Sequence, residues 1–211
     1  MPERLTVVNQ GPLQWAGMSE RQRVNQKAEI MPRRQQILDT AASLFAERGF
    51  HGVSVHDIGR ACGISGPALY KHFNSKNDIL TQSLTAISER LLEEGEARVA
   101  TTTDPTTALD ALIAWHIDFA LGNPALIVIQ EREWANLEAA GRKQVRSLQL
   151  AYIDVWVDTL RALRADLDPA EARAAVQATF GLLNSTPHSA RISESAMQVR
   201  LALMARSALL A

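Results

Sequence analysis

The residues of this chain that could do chemistry are not spaced for catalysis or for metal binding. Its five histidines show no ligand spacing with cysteines or carboxylates: His51, His56, His72, His116 and His188. The chain has neither a glycine-rich phosphate loop nor a Gly-x-Ser-x-Gly motif. The charged run Glu131-Arg132-Glu133 is typical of a solvated helix face. The sequence therefore predicts no enzyme, no catalytic residue, no metal site and no cofactor.

One stretch, residues 55–70, has the residue types that a helix-turn-helix requires. Gly59 is the small residue where the second helix crosses the first, and Gly63 provides the positive φ of the turn. Such a motif presents its second helix to the major groove of DNA. The residues expected to face the bases are small and allow close approach: Ser65, Gly66, Pro67 and Ala68. Lys71 is expected to contact a base or a phosphate.

Helical periodicity around this stretch predicts an all-α chain of about nine helices. The first three cover residues 33–49, 54–62 and 66–72, and the fourth runs from Ser75 to about residue 99. Capping boxes are predicted at Ser54 with Asp57 and at Ser75 with Asp78. Five further helices are expected near residues 109–120, 124–134, 145–163, from 170, and 193–210. The predicted domains are a flexible basic arm (1–31), a helix-turn-helix domain (32–77) and a larger helical domain (78–211).

The formal net charge of -1 conceals an asymmetry along the chain. Residues 1–76 carry 10 Lys+Arg against 6 Asp+Glu, whereas residues 77–211 carry 12 against 17. The basic part is the one expected to face phosphate. Arg34, together with Arg33 and the basic residues of the arm, is expected to follow the DNA backbone or to enter the minor groove. A solvated tail is the alternative.

Residues of about 33–80 resemble the DNA-binding domain of the TetR family of transcriptional regulators. The resemblance rests on Ile37-Leu38-Asp39-Thr40-Ala41, on residues 44–50 and on residues 65–76. It implies that Tyr70, His72 and Lys76 contact phosphate. Packing of Tyr70 against Phe45 is the alternative for that side chain. Ser54 is a further candidate contact, although capping alone would explain it. The chain departs from the family's usual residues at Gly59, Gly66 and Asn74.

The resemblance also implies a homodimer and a ligand pocket. A single recognition helix reads few base pairs, so such domains act in pairs on half-sites about one helical turn apart. The dimer interface is expected on the last two helices, at Ala172, Ala175, Val176, Thr179, Val199, Leu203 and Arg206. The alternative for each of these residues is a place in the core of its own chain. Large or hydrogen-bonding residues are expected to line the pocket, with core packing as the alternative: Trp115, His116, Phe119, Gln130, Trp134, Tyr152, Trp156, Phe180 and Asn184.

The sequence therefore predicts a repressor that a small effector releases from a palindromic double-stranded DNA operator. Few charges near the pocket favour an apolar or amphipathic effector, such as an aromatic compound, a fatty acid or an acyl thioester. A transcriptional activator and a helical ligand-binding adaptor without operator binding are the alternatives. The lone Cys62 excludes an intramolecular disulfide, and no long apolar run predicts a signal peptide or a membrane span. A cytoplasmic protein without a membrane partner is expected.

Overall fold

Helices joined by short turns make up residues 32–211, the part of the chain described by the computed structural model. They are α1 (Arg33–Arg48), α2 (Val55–Ala61), α3 (Gly66–Leu69), α4 (Lys76–Ala100), α5 (Pro105–Gly122), α6 (Pro124–Arg132), a 3-10 turn (Trp134–Asn136), α7 (Ala139–Leu163), α8 (Pro169–Leu183), α9 (Thr186–Ser189) and α10 (Glu194–Leu210). Because these residues contain no strand, the all-α prediction is confirmed. The predicted arm, residues 1–31, lies outside the described residues.

Local signals set the geometry of the helix-turn-helix. Ser54 caps α2 in a complete capping box with Asp57, as predicted. Gly49 and Gly63 adopt φ values of 71° and 66°, the left-handed region that ends α1 and forms the α2–α3 turn. A Cβ added at Gly59 would lie 2.9 Å from the carbonyl oxygen of Ile64, so only glycine allows this close approach without a shift of the turn. The three glycines therefore fix where α3 is presented.

Three helix boundaries differ from the sequence prediction. The α3 helix ends at Leu69 rather than at residue 72, α6 ends at Arg132, and α7 begins at Ala139, six residues before its apolar stripe. The second capping box is only half formed. Ser75 accepts from the amide of Asp78, but the Asp78 carboxylate accepts from the amide of Asn74 instead.

Residues 37–211 pack as one unit that contains two hydrophobic cores. The core beneath the helix-turn-helix combines Ile37, Phe45 and Ile58 with residues from later in the chain that include Ile129 and Val145. Since the same core contains residues of α6 and α7, the predicted boundary between residues 77 and 78 stays a prediction. In the first turn of α1, outside this unit, Arg34 is exposed and Arg33 donates a hydrogen bond to Gln36.

The helices α4 and α7, each of 25 residues, pack closely at two glycines. A Cβ at Gly141 would lie 2.8 Å from the Thr81 side chain, and a Cβ at Gly95 would lie 2.7 Å from the ring of Tyr152. The contact nearer the start of α4, at Thr81, is also the one nearer the start of α7, at Gly141. The two helices therefore run in the same direction. Both cores are thereby joined along α4.

No single helix within residues 32–211 is long and apolar enough to cross a membrane. The consecutive helices α5 and α6 pass that test only when taken together, and they are bent by 85° at their junction.

Candidate nucleic-acid interface and ligand cavity

The α3 helix and the turn that follows it form an exposed polar surface. Tyr70 is 57% exposed, and Lys71 and His72 are exposed beside it. The other predicted contacts on this surface are Ser65 and Pro67, which are exposed, and Gly66 and Ala68, which are half-buried. The ring of Phe45 pairs with that of Phe50, with centroids 5.4 Å apart. Partial packing of Tyr70 against Phe45 stays an alternative to the phosphate contact.

Lys76 connects the start of α4 to the loop between α1 and α2. Its ammonium group donates hydrogen bonds to the carbonyl oxygens of Phe50 and Val53, both at 2.8 Å, and lies 4.2 Å from the centre of the Phe50 ring. An ammonium group has three N–H donors, and two of them are used here. The phosphate contact at Lys76 stays a prediction, and the geometry adds a structural role.

Ser54 is held by the start of α2. Its hydroxyl donates to the Asp57 carboxylate at 2.5 Å and accepts from the Asp57 amide at 3.1 Å. The bond from the hydroxyl and a second bond from the Ser54 backbone amide to the same carboxylate at 3.0 Å, with a smaller contribution from Arg60 at 2.7 Å, lower the pKa of Asp57. Capping thus accounts for Ser54, and its phosphate contact stays a prediction.

An inner cavity of about 100 Å³ lies among α4, α5, α6, α7 and α8. Six of the predicted pocket residues line it: His116, Phe119, Gln130, Tyr152, Phe180 and Asn184. It is also lined by Ser88, Leu91, Ile127, Gln149 and Ile153. Among these lining residues none carries a formal charge at neutral pH with His116 unprotonated. These six residues therefore border one cavity, to which α4 also contributes, and ligand binding there stays a prediction.

An outer cavity of about 310 Å³ shares Gln130, Gln149 and Ile153 with the inner one. It is also lined by Trp134, as predicted for a pocket residue, and by Arg146, an exposed residue of α7. The side-chain nitrogen of Gln149 is buried and has no hydrogen-bond partner among the described residues. An unpaired amide donor therefore lies in the wall that the two cavities share.

Two predicted pocket residues line neither cavity. Trp156 is fully buried in the core, and Trp115 packs beneath the guanidinium of Arg98, which lies 4.4 Å from its ring centre. Both were predicted from their large side chains and their region of the chain, which do not show which positions border the cavity. A groove of about 450 Å³ near the start of α5 contains none of the predicted pocket residues.

His116 is the centre of the aromatic cluster at the inner cavity. Its ring stacks on Phe180 at 4.6 Å and on Tyr152 at 5.9 Å. Its Nε2 donates to the Asn184 side-chain oxygen at 3.0 Å, which leaves Nδ1 to accept from the Tyr152 hydroxyl at 3.4 Å. Burial lowers the pKa of His116 to about 4, against a smaller opposing effect of Asn184, and raises the pKa of Tyr152. Both groups are therefore neutral at pH 7.

The predicted dimer face is wrong for three residues of α8. Ala172, Val176 and Thr179 are buried within the chain, because this side of α8 packs on the core. The exposed side of α8 contains instead the small residues Ala174, Ala178 and Gly181. On α10, Val199 and Leu203 are 62% and 59% exposed, and Arg206 pairs with Asp110. Periodicity could not show which of two apolar faces is left uncovered.

Glu133 also differs from its prediction, because it is only 6% exposed rather than part of a solvated face. Its carboxylate accepts the backbone amide of Phe50 at 3.1 Å and the side-chain amide of Asn136 at 2.6 Å. No group of three metal-ligating side chains is found in residues 32–211.

Comparisons with known proteins agree with this architecture. The model for bacterial regulatory proteins of the tetR family matches residues 37–82, and that for the tetracyclin repressor-like C-terminal domain matches residues 102–188. The transcriptional repressor KstR2 of Rhodococcus jostii is 31% identical over 143 residues, covering 64% of this chain and 70% of that protein.

Two solved structures are similar in fold. The ketosteroid transcriptional regulator KstR2 of Mycobacterium tuberculosis has a TM-score of 0.69 and 25% identity, covering 84% of this chain and 95% of that one. AibR, solved in complex with isovaleryl coenzyme A and operator DNA, has a TM-score of 0.67 and 22% identity, covering 82% and 97%.

The chain belongs to the TetR family of transcriptional regulators. Members of this family bind operator DNA, dimerise and are not enzymes, so the predicted regulator is confirmed as a class.

The depressed pKa of His116 predicts a specific loss of stability in acid. A neutral histidine is favoured in the folded chain, so stability is full above pH 6.5 and is lost as the pH falls from 6.5 to about 4. The expected loss is about 3 kcal/mol at most. Urea unfolding at pH 7 and pH 4 measures it. The His116→Gln variant cannot be protonated at this position, so the difference between it and the wild type separates the contribution of His116 from that of the carboxylates. Equal pH dependence in both proteins would contradict the neutral assignment.

Proposed function

We propose that this regulator is a dimeric repressor that a small amphipathic effector releases from its operator. The observation that carries the proposal is that two sites lie within one packed unit. These are the exposed surface at Tyr70, Lys71 and His72, and the uncharged inner cavity, whose wall includes Ser88 of α4. The relative KstR2 is a repressor by name, and AibR binds both operator DNA and an acyl thioester. Because it acts on operator DNA, we place the protein in the cytoplasm.

The proposed dimer face is the exposed side of α8 and α10. Val199, Leu203 and the 44% exposed Met204 leave apolar area uncovered on α10. On α8, Ala174 and Gly181 are small, and a Cβ at Gly181 would meet nothing within 4 Å. Small residues beside apolar ones let two helix pairs approach closely, as in a four-helix bundle across a two-fold axis.

A charge on this face should separate the dimer. Leu203→Glu would bury an unpaired carboxylate in the interface, so sedimentation should change from dimer to monomer. Ile192→Glu is the matched control, since Ile192 is 56% exposed in the turn before α10. If the Leu203→Glu variant stays dimeric, the interface lies elsewhere.

Lys71 should contribute to operator affinity through phosphate. In Lys71→Ala, the slope of log affinity against log salt should fall by about 1 per recognition helix, because one neutralised phosphate is lost. The measurement is fluorescence anisotropy on the tightest duplex that the wild-type dimer recovers from a random pool. Arg161→Ala, which removes an exposed charge near the end of α7, should leave the slope unchanged.

Lys76→Met distinguishes the structural role of Lys76 from a phosphate contact. Loss of its two carbonyl contacts should lower the free energy of unfolding by about 1–3 kcal/mol, whereas Lys71→Ala should leave it unchanged.

An unchanged salt slope in Lys71→Ala would contradict the phosphate contact at Lys71. If wild type shows no salt-dependent binding to any duplex, the protein is a ligand-binding adaptor instead.

The two cavities together favour an effector with an apolar end and a polar or anionic part. The inner cavity, at about 100 Å³, is smaller than the outer one at about 310 Å³, so it favours a short or narrow group. The Gln149 amide at the shared wall offers a hydrogen bond to a carbonyl oxygen, and Arg146 offers a charge partner in the outer cavity. We therefore propose a thioester or carboxylate of an apolar acid.

Gln149→Leu tests this assignment. It keeps the side-chain volume and removes the donor, so the affinity for the effector should fall about tenfold. The probes are isovaleryl-CoA, stearoyl-CoA, stearate and a ketosteroid, measured by calorimetry and by release of the selected duplex. Gln144→Leu, an exposed position on the same helix, is the control. Release by the ketosteroid alone would overturn the acid assignment.

A further inference from the structure

We infer that Glu133 is the positioning residue through which the effector cavity controls the helix-turn-helix. Glu133 touches neither of the two surfaces proposed for DNA and effector. It lies between them, at the end of α6, and its partner Phe50 is 83 positions away in the sequence. The inference rests on the proposed function for the identification of the cavity as an effector site. The contact itself is independent of that proposal.

The Glu133 carboxylate uses both oxygens for directional bonds. One oxygen accepts the Phe50 amide at 3.1 Å in a buried position, and the other accepts the Asn136 amide at 2.6 Å. A buried carboxylate costs free energy unless it is hydrogen-bonded, so an apolar residue would suffice if this site only had to be filled. The carboxylate thus fixes direction and distance as well as volume.

Several further contacts hold the same short segment, residues 49–53, which we call the α1–α2 turn. The His51 ring bonds the Asn136 side-chain oxygen at 2.9 Å, and Lys76 holds the Phe50 carbonyl from the opposite end of that residue. Asn77, in the first turn of α4, donates to the Asn136 backbone carbonyl. The turn is therefore fastened to α4 and to the segment 133–136 together, and α2 begins directly after it.

The effector cavity lies one helical turn away from this fastening. Gln130 lines both cavities and precedes Glu133 by three residues, which places the two on neighbouring positions of one helix surface. Trp134, the next residue, lines the outer cavity. A ligand that displaces α6 must therefore move Glu133. Hydrogen bonds weaken steeply with distance and angle, so a displacement of about 1 Å breaks the bond to Phe50.

The contact is tested first without any ligand, by amide hydrogen exchange of the full-length dimer. Glu133→Leu removes both acceptors at similar volume, and exchange in residues 49–53 should accelerate about tenfold or more. Glu138→Gln removes a carboxylate from an exposed position five residues later and should leave the turn unchanged. If Glu133→Leu does not fold, Glu133→Gln replaces it, since glutamine keeps one acceptor and should give an intermediate acceleration. Unchanged exchange in a folded variant would overturn the inference.

The coupling is tested by a double-mutant cycle on operator affinity. Ile153 lines both cavities, so Ile153→Phe occupies space that an effector would take. In the wild-type background this substitution should weaken binding to the selected duplex at least fivefold. In the Glu133→Leu background, and in the Glu133→Gln background to a smaller extent, the effect should disappear. A merely structural role would lower affinity equally in both backgrounds.

The outcomes separate this inference from the proposed function. An equal effect of Ile153→Phe in both backgrounds, or none in either, overturns the role of Glu133 while the dimer still binds DNA. Absence of DNA binding by wild type overturns the proposed repressor. The exchange experiment then still decides whether Glu133 positions the α1–α2 turn.

Discussion

The close packing of α4 against α7 is the constraint on which the rest of the structure depends. A helix of 25 residues is about 37 Å long, and α4 contributes to the core beneath the helix-turn-helix at Leu80 and to the inner cavity at Leu91. Glycines at 95 and 141 remove the side chains that would hold the two helices apart. Since each contact leaves almost no free space, α4 can shift only if α7 or its neighbours also move.

The polar groups at the inner cavity form a neutral network. His116, Tyr152 and Asn184 satisfy one another, and burial keeps the first two uncharged at pH 7. A low-dielectric site of this kind penalises a charged ligand group and rewards a matched hydrogen bond. A cation, Arg146, lines the outer cavity. Our proposal of an amphipathic rather than a purely apolar effector rests on this separation of apolar, hydrogen-bonding and charged contacts between the two cavities.

The sequence predicted what short-range rules govern. Ser54 with Asp57, Gly49 and Gly63 act within a few residues, so spacing alone located the helix-turn-helix. Long-range pairing was not readable: Glu133 lies in a charged run, and only the folded chain brings it to Phe50. The inward side of α8 and the place of Trp115 were missed for the same reason. A helical stripe identifies a buried face without identifying what covers it.

The α3 helix has free space around one of its residues, Gly66. A Cβ at Gly66 would meet nothing within 4 Å, and the backbone there does not have a positive φ, so an alanine can be accommodated without rearranging the turn. Most substitutions in a protein must be absorbed by neighbours that are already packed, and they are selected against on stability. At residue 66, on the proposed DNA-binding surface, a substitution would change the chemistry offered to DNA at little cost to folding. The chemistry of the proposed DNA-binding surface can therefore change at residue 66 independently of the fold.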